Sequence, residues 1–201
     1  MREQGNQAEA VIVSDQWVNG VITENVRTAV SQGGLKRPTY VDSRIALGEY
    51  RHVMVKPNEW EFAEALQTPF AVVRGASEDW LKALGGEWVK RADVEICLTR
   101  ADYGVMWVGR DQTFATDAPQ VGPPIDPVGA GDAYLAAFAG ARTVGATVPE
   151  ALLFGSLATS IVLQKIGTTG SATAREMTAA YARYRKNQAG RDSVESWVRA
   201  I

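Results

Sequence analysis

A turn and the start of a helix are encoded by the sequence Asp-Pro-Val-Gly-Ala-Gly-Asp at residues 126–132, which runs directly into the apolar stretch Ala-Tyr-Leu-Ala-Ala-Phe at residues 133–138. The first N–H groups of a helix have no partner within it, and the helix dipole favours an anion there. Glycines let a phosphate approach the main chain without meeting a Cβ atom. Asp132 is placed to accept a proton from a hydroxyl that attacks the phosphate. The same residues also fit a tight loop in which Asp132 is an ordinary acidic residue at a helix start.

Short apolar runs alternate with helical patterns on both sides of this motif. The patterns predict strands at 11–14, 39–42, 53–56 and 95–99, and a hairpin formed by 104–108 and 113–116. Helices are predicted at 24–31, 59–66, from Ser77 onward, and at 130–142, 149–165 and 174–187. The alternation predicts an α/β sandwich with a mostly parallel sheet, in which ligands bind beyond the carboxyl ends of the strands. With no internal repeat or linker, residues 1–201 are expected to form a single domain.

The composition excludes several classes of function. The chain has 21 basic and 23 acidic residues and a net charge of −2, so nucleic acid and anionic membrane surfaces are not expected partners. It has no apolar run of transmembrane length and no signal peptide at its polar start, which points to a cytoplasmic protein. Cys97 and His52 are the only cysteine and histidine, which excludes a disulfide framework and zinc sites rich in thiolate or histidine.

A second candidate site follows the predicted strand at 53–56. Asn58 and Glu61 are three residues apart, so a first helical turn places both on one face. An amide and a carboxylate in this position could hold Mg²⁺ through its waters, close to phosphate oxygens. The same pair also fits a capping box, with Asn58 as the N-cap and Glu61 as its acidic partner, and both interpretations can hold together.

Two weaker signals lie further along the chain. Thr99 and Gly104 flank a turn between predicted strands, where they could meet phosphates or simply form a tight turn. Gly167 and Thr168 follow Lys165 at the end of a predicted helix. A C-cap explains this second pattern, but such a loop can also form a flat backbone wall for a nucleobase.

In this order, the four signals resemble the ribokinase (PfkB) family of carbohydrate kinases. The family pattern is Asn-x-x-Glu after a strand, Thr…Gly between strands, Asp-x-x-Gly-Ala-Gly-Asp, and Lys-x-Gly-Thr, found here at 58–61, 99–104, 126–132 and 165–168. Residues 11–23, 41–42 and 56–61 look most like the kinase module of bifunctional heptose-phosphate kinase/ADP-heptose synthase enzymes. The resemblance implies a ribokinase-like three-layer α/β/α sandwich.

The resemblance also implies a role for each matching residue. Asp132 is the expected catalytic base, and the amides of Gly129, Ala130 and Gly131 are the expected anion hole for the transferring phosphoryl group. Asn58 and Glu61 are expected to position Mg²⁺ and phosphate, with Glu61 on the metal through water. Thr99 and Gly104 are expected to form the turn on the nucleotide side, and the adenosine pocket is expected to be lined by Ser156, Gly167 and Thr168. Asp15 and Asp126 are expected on the substrate side. The implied ligands are ATP, Mg²⁺ and a sugar or sugar phosphate.

The chain departs from the family pattern at several points. At residues 16–19 a different stretch replaces a shorter Tyr-Gly-Lys-like one, so the loss of a substrate-side lysine is expected. Pro127 replaces the usual threonine and Ser156 a common asparagine. The N-terminal strands, sugar-binding segments and β-lid of the family have no counterpart, so an unpaired sheet edge is expected, covered by a second copy or by a complementing N-terminal half. The expected function is a carbohydrate kinase. The alternatives are a truncated, non-catalytic homologue that binds nucleotide or a partner, and a hydroxymethylpyrimidine- or nucleoside-type kinase of the same fold.

Overall fold

A single mixed sheet forms the centre of the molecule, in a computed structural model that describes residues 8–198 and the side chains of residues 8–188. The first four strands are parallel to one another, and the fifth strand is antiparallel both to the fourth and to the sixth, with which it forms the expected hairpin. The six strands lie in chain order: β1 (Val11–Asp15), β2 (Thr39–Ser43), β3 (Met54–Val55), β4 (Glu95–Thr99), β5 (Val105–Val108) and β6 (Thr113–Thr116).

The predicted helices are all present. The helices are α1 (Glu24–Gly34), α2 (Glu59–Ala65), α3 (Phe70–Arg74), α4 (Glu78–Ala92), α5 (Ala130–Thr143), α6 (Val148–Val162) and α7 (Ala174–Val198). The short helix α3 was not predicted, and α1 and α7 extend beyond their predicted ends at residues 31 and 187. Ser77 caps α4 as expected, because its hydroxyl accepts a hydrogen bond from the Trp80 N–H.

Alternate residues of each strand face two different layers of helices. Val41 and Val55 lie in one apolar core with Phe62 of α2 and Trp88 of α4. Their chain neighbours, Tyr40 and Met54 among them, lie in a second core with Tyr134 and Phe138 of α5 and Leu152 of α6. This period-two division produces the expected three-layer sandwich.

Helix α5 buries one face rather than its whole circumference. Phe138 is fully enclosed by the rings of Tyr40, Trp107 and Tyr134, with centroids 5.6–6.2 Å away. Residues 136 and 140, on the other side of the helix, are exposed, so α5 is buried on one face only, although its sequence is apolar on nearly every face. The aromatic face fixes the helix against the sheet and directs its N-terminal turn towards the carboxyl ends of the parallel strands.

Strand β1 forms one edge of the sheet among the residues described. The loop after it exposes three large apolar side chains, Trp17, Val18 and Val21, each more than three-quarters accessible. An unpaired edge with apolar surface beside it therefore exists, as the sequence predicts. Between residues 8 and 198, no helix has both the length and the apolar composition needed to cross a bilayer.

Candidate active site

The turn that opens α5 carries free backbone donors. Gly129 is the N-cap and lies in the left-handed region, with φ 78° and ψ 0°. Within the described chain, the N–H groups of Gly131 and Asp132 have no hydrogen-bond partner. The N–H of Ala130, expected to face an anion, instead donates to the Pro127 carbonyl at 3.1 Å. Of the predicted set, only the Ala130 N–H is therefore occupied, since that of Gly129 also has no acceptor within the described chain, and the N–H of Asp132 is free in addition, at the positive end of the helix dipole.

Asp126 ties this turn to a loop that lies far away in sequence. Its carboxylate accepts hydrogen bonds from the N–H groups of Val128, at 3.0 Å, and Gly167, at 2.8 Å. These two bonds lower the pKa of Asp126. A Cβ at Gly129 would lie 3.3 Å from Thr169 Cα, so the two loops are also in close contact there. Two segments that the sequence assigns separately to phosphate and nucleotide therefore form one wall.

A buried ion pair lies directly against the same helix turn. Lys56 and Asp42, which are 4% and 7% exposed, place Nζ and Oδ2 3.2 Å apart. A Cβ at Gly131 would lie 3.3 Å from Lys56 Nζ and 3.7 Å from Asp42 Oδ2. We refer to Asp42, Lys56 and Gly131 as the Lys56 cluster. It joins the carboxyl ends of β2 and β3 to the N-terminus of α5.

Asn58 and Glu61 form the predicted capping box at the start of α2. The Asn58 side chain accepts from the Glu61 N–H at 2.9 Å, and Glu61 Oε2 accepts from the Asn58 N–H at 2.8 Å. Glu61 is also buried, and this burial raises its pKa, although the Asn58 N–H and Lys56 oppose the shift. The local capping interpretation is confirmed, and it places a carboxylate of Glu61 close to Lys56.

Thr99 and Gly104 lie at the end of β4, where their geometry is set by the backbone. The Thr99 N–H and hydroxyl both donate to the Pro57 carbonyl, at 2.9 and 3.3 Å, so Thr99 lies beside Asn58 in the sheet. Gly104 has φ 81°, and a Cβ there would lie 2.0 Å from the Thr116 carbonyl oxygen. The turn between β4 and β5 therefore requires glycine for packing alone.

Three further predicted site residues differ from one another in how far they are exposed to solvent. Asp132 is exposed, and its carboxylate has no hydrogen-bond or ion-pair partner among the side chains described. Ser156 is buried within α6, where its hydroxyl donates to the Leu152 carbonyl at 2.9 Å, so it does not line an open pocket. Thr168 is exposed in the loop next to Gly167.

Asp15, predicted on the substrate side, lies on the other face of the sheet from the Lys56 cluster. Asp15 is paired with Ser43 of β2, and the side chains of these two residues lie on the same face of the sheet. Asp42 directly precedes Ser43, so its side chain lies on the opposite face. Asp15 is 1% exposed, and its Oδ2 accepts hydrogen bonds from Arg27, Ser43 and Tyr50 at 2.9, 3.1 and 2.9 Å. We refer to these four residues as the Asp15 cluster. They connect β1, α1 and β2 and are separate from the helix turn of α5.

A magnesium ion near Asn58 and Glu61 would have few ligands from the protein. No group of three or more His, Cys, Asp or Glu side chains converges anywhere in the described residues. Mg²⁺ is commonly held by one or two carboxylates together with waters and substrate phosphates, so such a group is not required. Glu61 uses only Oε2 in the capping box, which leaves Oε1 as a ligand of the right chemistry.

Sequence reasoning missed Lys56 and Asp42 as site residues. Both were assigned to predicted strands, and neither was given a chemical role. The available signal was that a charged residue ends each of two neighbouring apolar strands, Thr-Tyr-Val-Asp at 39–42 and Val-Met-Val-Lys at 53–56. Charges at such positions are buried only when they are paired or serve a ligand.

Comparison with known proteins gives a consistent result. The sequence profile of the pfkB family carbohydrate kinases matches residues 6–175. A D-tagatose-1-phosphate kinase from Bacillus licheniformis is 32% identical over 112 residues, covering 56% of this chain and 35% of that protein. The bifunctional protein HldE from Hyphomonas neptunium is 29% identical over 175 residues, covering 85% of this chain and 35% of that protein. The chain thus spans about a third of the length of these curated relatives.

The fold is also that of solved ribokinases. The structure of Arabidopsis thaliana ribokinase complexed with ribose and ATP superposes with a TM-score of 0.70 at 19% identity, covering 89% of this chain and 57% of that one. The six-stranded, mostly parallel sheet with its two helical layers is therefore a ribokinase-like α/β fold, as the sequence predicts.

Proposed function

This chain belongs to the pfkB family of carbohydrate kinases, and we propose that it transfers a phosphoryl group from ATP to a hydroxyl of a sugar or sugar phosphate. The supporting observation is the turn at the start of α5. It combines free N–H groups at Gly131 and Asp132 with a carboxylate on Asp132 that no other described side chain engages. Donors for an anion and a base for a hydroxyl are the two elements that phosphoryl transfer needs from a protein.

The reaction proceeds by in-line displacement at the γ-phosphorus. The acceptor hydroxyl loses its proton to Asp132 while its oxygen forms the new bond to phosphorus, and the bond to the ADP oxygen breaks. The N–H groups of residues 131 and 132 hold the equatorial oxygens, where negative charge is concentrated. Asp126, by joining the 126–132 turn to Gly167, keeps this wall in place beside the nucleotide.

Glu61 and Asn58 are the proposed residues for the magnesium ion that accompanies ATP. Glu61 Oε1 would hold it through water, while Oε2 remains in the capping box. When bound, the ion neutralises charge on the phosphates. The high burial of Glu61 favours this role, because a cation nearby offsets the cost of keeping its carboxylate ionised.

The substrate classes follow from the relatives. One structural neighbour is described as complexed with ribose and ATP, and one relative is named as a kinase of a sugar phosphate, D-tagatose 1-phosphate. These names support ATP as the donor and a sugar or sugar phosphate as the acceptor.

The decisive experiment compares the chain with its Asp132→Asn variant. ADP release is measured over a panel of sugars and sugar phosphates, and Mg·ATP affinity is measured by calorimetry. We expect kcat to fall by about 100- to 10,000-fold, since the variant lacks the general base. The Kd of Mg·ATP should stay within a few-fold. Asp111→Asn, in the exposed loop between β5 and β6, is the matched control and should leave both values unchanged. Unchanged turnover in Asp132→Asn would exclude this residue as the base.

A second candidate function is nucleotide binding without turnover unless a complementing half is supplied. The observation that favours it is the free edge of β1, with Trp17, Val18 and Val21 exposed beside it. The same measurements separate the two candidates. Mg·ATP binding with no ADP release on any acceptor supports the second, and acceptor-dependent release supports the first. Absence of binding contradicts both.

A further inference from the structure

We propose that a cavity at the amino ends of the parallel strands binds a zwitterionic small molecule of the free α-amino acid class, with Glu95 on its ammonium group and Arg142 on its carboxylate. The cavity has a volume of about 610 Å³, which lies within the usual range for small-molecule sites. It lies at the end of the sheet opposite the Lys56 cluster, so it is separate from the phosphoryl-transfer site and goes beyond the proposed function.

The floor of this cavity is a row of residues that crosses three parallel strands. Tyr40 is paired with Met54, and Met54 with Glu95, so the three side chains lie on the same face of the sheet. Tyr40 and Met54 belong to the core beneath α5, whereas Glu95 is open to the cavity. Arg142, in the last turn of α5, lines the cavity from the helical layer. The fold thus brings an acidic group of the sheet and a basic group of a helix to one cavity.

Glu95 and Arg142 lie near each other without forming an ion pair. Partial desolvation raises the pKa of Glu95, and the charge of Arg142 opposes this shift, so the guanidinium is within electrostatic reach of the carboxylate. Burial likewise raises the pKa of Tyr40, and Arg142 opposes that shift too. Among the residues described, however, Glu95 has no hydrogen-bond or ion-pair partner, and the Arg142 guanidinium donates to the Ala146 carbonyl instead. A gap therefore separates two opposite charges that face one cavity.

The other charged groups of the cavity do not fill this gap. Asp93 Oδ2 lies 2.7 Å from His52 Nδ1, and the second oxygen of Asp93 forms an ion pair with Arg110. Asp111 is exposed in the turn between β5 and β6. The helix dipole favours a cation at the end of α5, which explains Arg142 by itself but not the unpaired carboxylate opposite it. A carboxylate that is partly shielded from water and has no partner is a cost that a bound cation removes.

A free α-amino acid bridges the gap because it carries both charges a short distance apart. Its ammonium group can donate to Glu95, and its carboxylate can accept two parallel hydrogen bonds from the planar guanidinium of Arg142. Phe114 and Val148, both partly buried, line the same cavity and offer an apolar surface to the amino-acid side chain. A ligand with a single charge satisfies only one of the two groups, so the cavity favours a zwitterion.

The test begins with calorimetry of the full chain against each of the standard L-amino acids, at concentrations up to about 10 mM. The amino acid that binds most tightly is then compared with its N-acetyl derivative, which lacks the ammonium charge, and with its amide, which lacks the carboxylate. We expect each derivative to bind about 10- to 100-fold more weakly, the range for one charge-assisted hydrogen bond. If no amino acid binds, or if both derivatives bind as tightly as the amino acid, the inference is overturned.

Two variants connect each ligand charge with its residue. Glu95→Gln should lose the preference for the amino acid over its N-acetyl derivative and keep the preference over the amide, and Arg142→Gln should do the reverse. Both residues are exposed, so these variants should fold as the parent chain does. Glu87→Gln and Arg91→Gln, at exposed positions of α4, are the matched controls and should keep both preferences.

The variants also decide where the amino acid binds. If both preferences survive in Glu95→Gln and in Arg142→Gln, the amino acid binds elsewhere on the chain and the inference is overturned. None of these measurements involves ATP, so a negative result for the amino-acid site leaves the proposed kinase function standing, and the reverse also holds.

Discussion

The Asp15 cluster and the Lys56 cluster lie at the carboxyl ends of the neighbouring strands β1, β2 and β3, but on opposite faces of the sheet. In the Asp15 cluster, one carboxylate oxygen accepts from Arg27, Ser43 and Tyr50, which belong to three different parts of the chain. In the Lys56 cluster, an ammonium with three donors meets a single carboxylate, and the adjacent helix turn keeps N–H groups free. Both clusters are buried.

The two clusters differ in whether their hydrogen-bond donors have acceptors within the protein. In the Asp15 cluster the donors of Arg27, Ser43 and Tyr50 are satisfied by one carboxylate oxygen and hold elements together, while the other oxygen, Asp15 Oδ1, is buried without a hydrogen-bond partner. In the Lys56 cluster, N–H groups remain free beside a cation, an arrangement that supports the proposed anion site. Proximity to a strand end therefore does not by itself identify a ligand-binding residue.

The largest expected effect is on stability, at Asp15. Asp15→Ala removes the acceptor from Arg27, Ser43 and Tyr50 together, and we expect the free energy of unfolding to fall by about 3 to 5 kcal/mol, the usual cost of breaking a buried charged pair. Urea unfolding followed by tryptophan fluorescence measures this. Asp111→Ala in an exposed loop is the control. If Asp15→Ala kept normal stability but bound ATP more weakly, Asp15 would belong to the ligand site, and the structural role given to the Asp15 cluster would be wrong.

A smaller loss is expected at Gly129. Alanine there must adopt φ 78° and also approach Thr169 Cα to 3.3 Å, so we expect Gly129→Ala to cost about 1 to 3 kcal/mol of stability and to weaken Mg·ATP binding. Gly140→Ala is the matched control in the same helix, where nothing lies within 4 Å of an added Cβ. It should stabilise the chain by about 0.5 to 1 kcal/mol. Equal effects in the two variants would show that neither the left-handed backbone of Gly129 nor its contact with Thr169 requires glycine at this position.

The smallest expected effect is pH-dependent and concerns Glu61. Because burial raises its pKa in the folded chain, the contribution of Glu61 to stability is fully present below its ordinary pKa and is lost as the pH rises through the folded value. Glu61→Gln does not titrate, so the variant should gain stability relative to the parent chain between pH 4 and pH 8. Unfolding free energies measured across this range provide the test.

The control for this comparison is Glu64→Gln, on the exposed side of α2, whose difference from the parent chain should be flat across the same pH range. A flat difference for Glu61→Gln as well would mean that its carboxylate is effectively solvated. That result would also weaken its assignment to a magnesium ion.

The sequence by itself determined the features that depend on residues close together in the chain. The alternation of strands and helices, the hairpin after β4, the capping box of Asn58 and Glu61, and the glycine turn before α5 are all present as predicted. Apart from the hairpin, whose pairs reach from Val105 to Thr116, each depends on hydrogen bonds and side-chain periods that extend over about four residues. The family resemblance rests on the same local patterns, so it too could be identified from the sequence.

Only the tertiary structure decided which charges share a site. Asp15 and Asp42 both end apolar strands, but the register of β1 against β2 places their side chains on opposite faces, and a shift of one residue in either strand would place them on the same face. The contacts of Asp126 with Gly167, and of Lys56 with Asp42 and Gly131, join segments far apart in sequence. Such contacts depend on how the strands pair and where α5 packs, and no local pattern of residues specifies either.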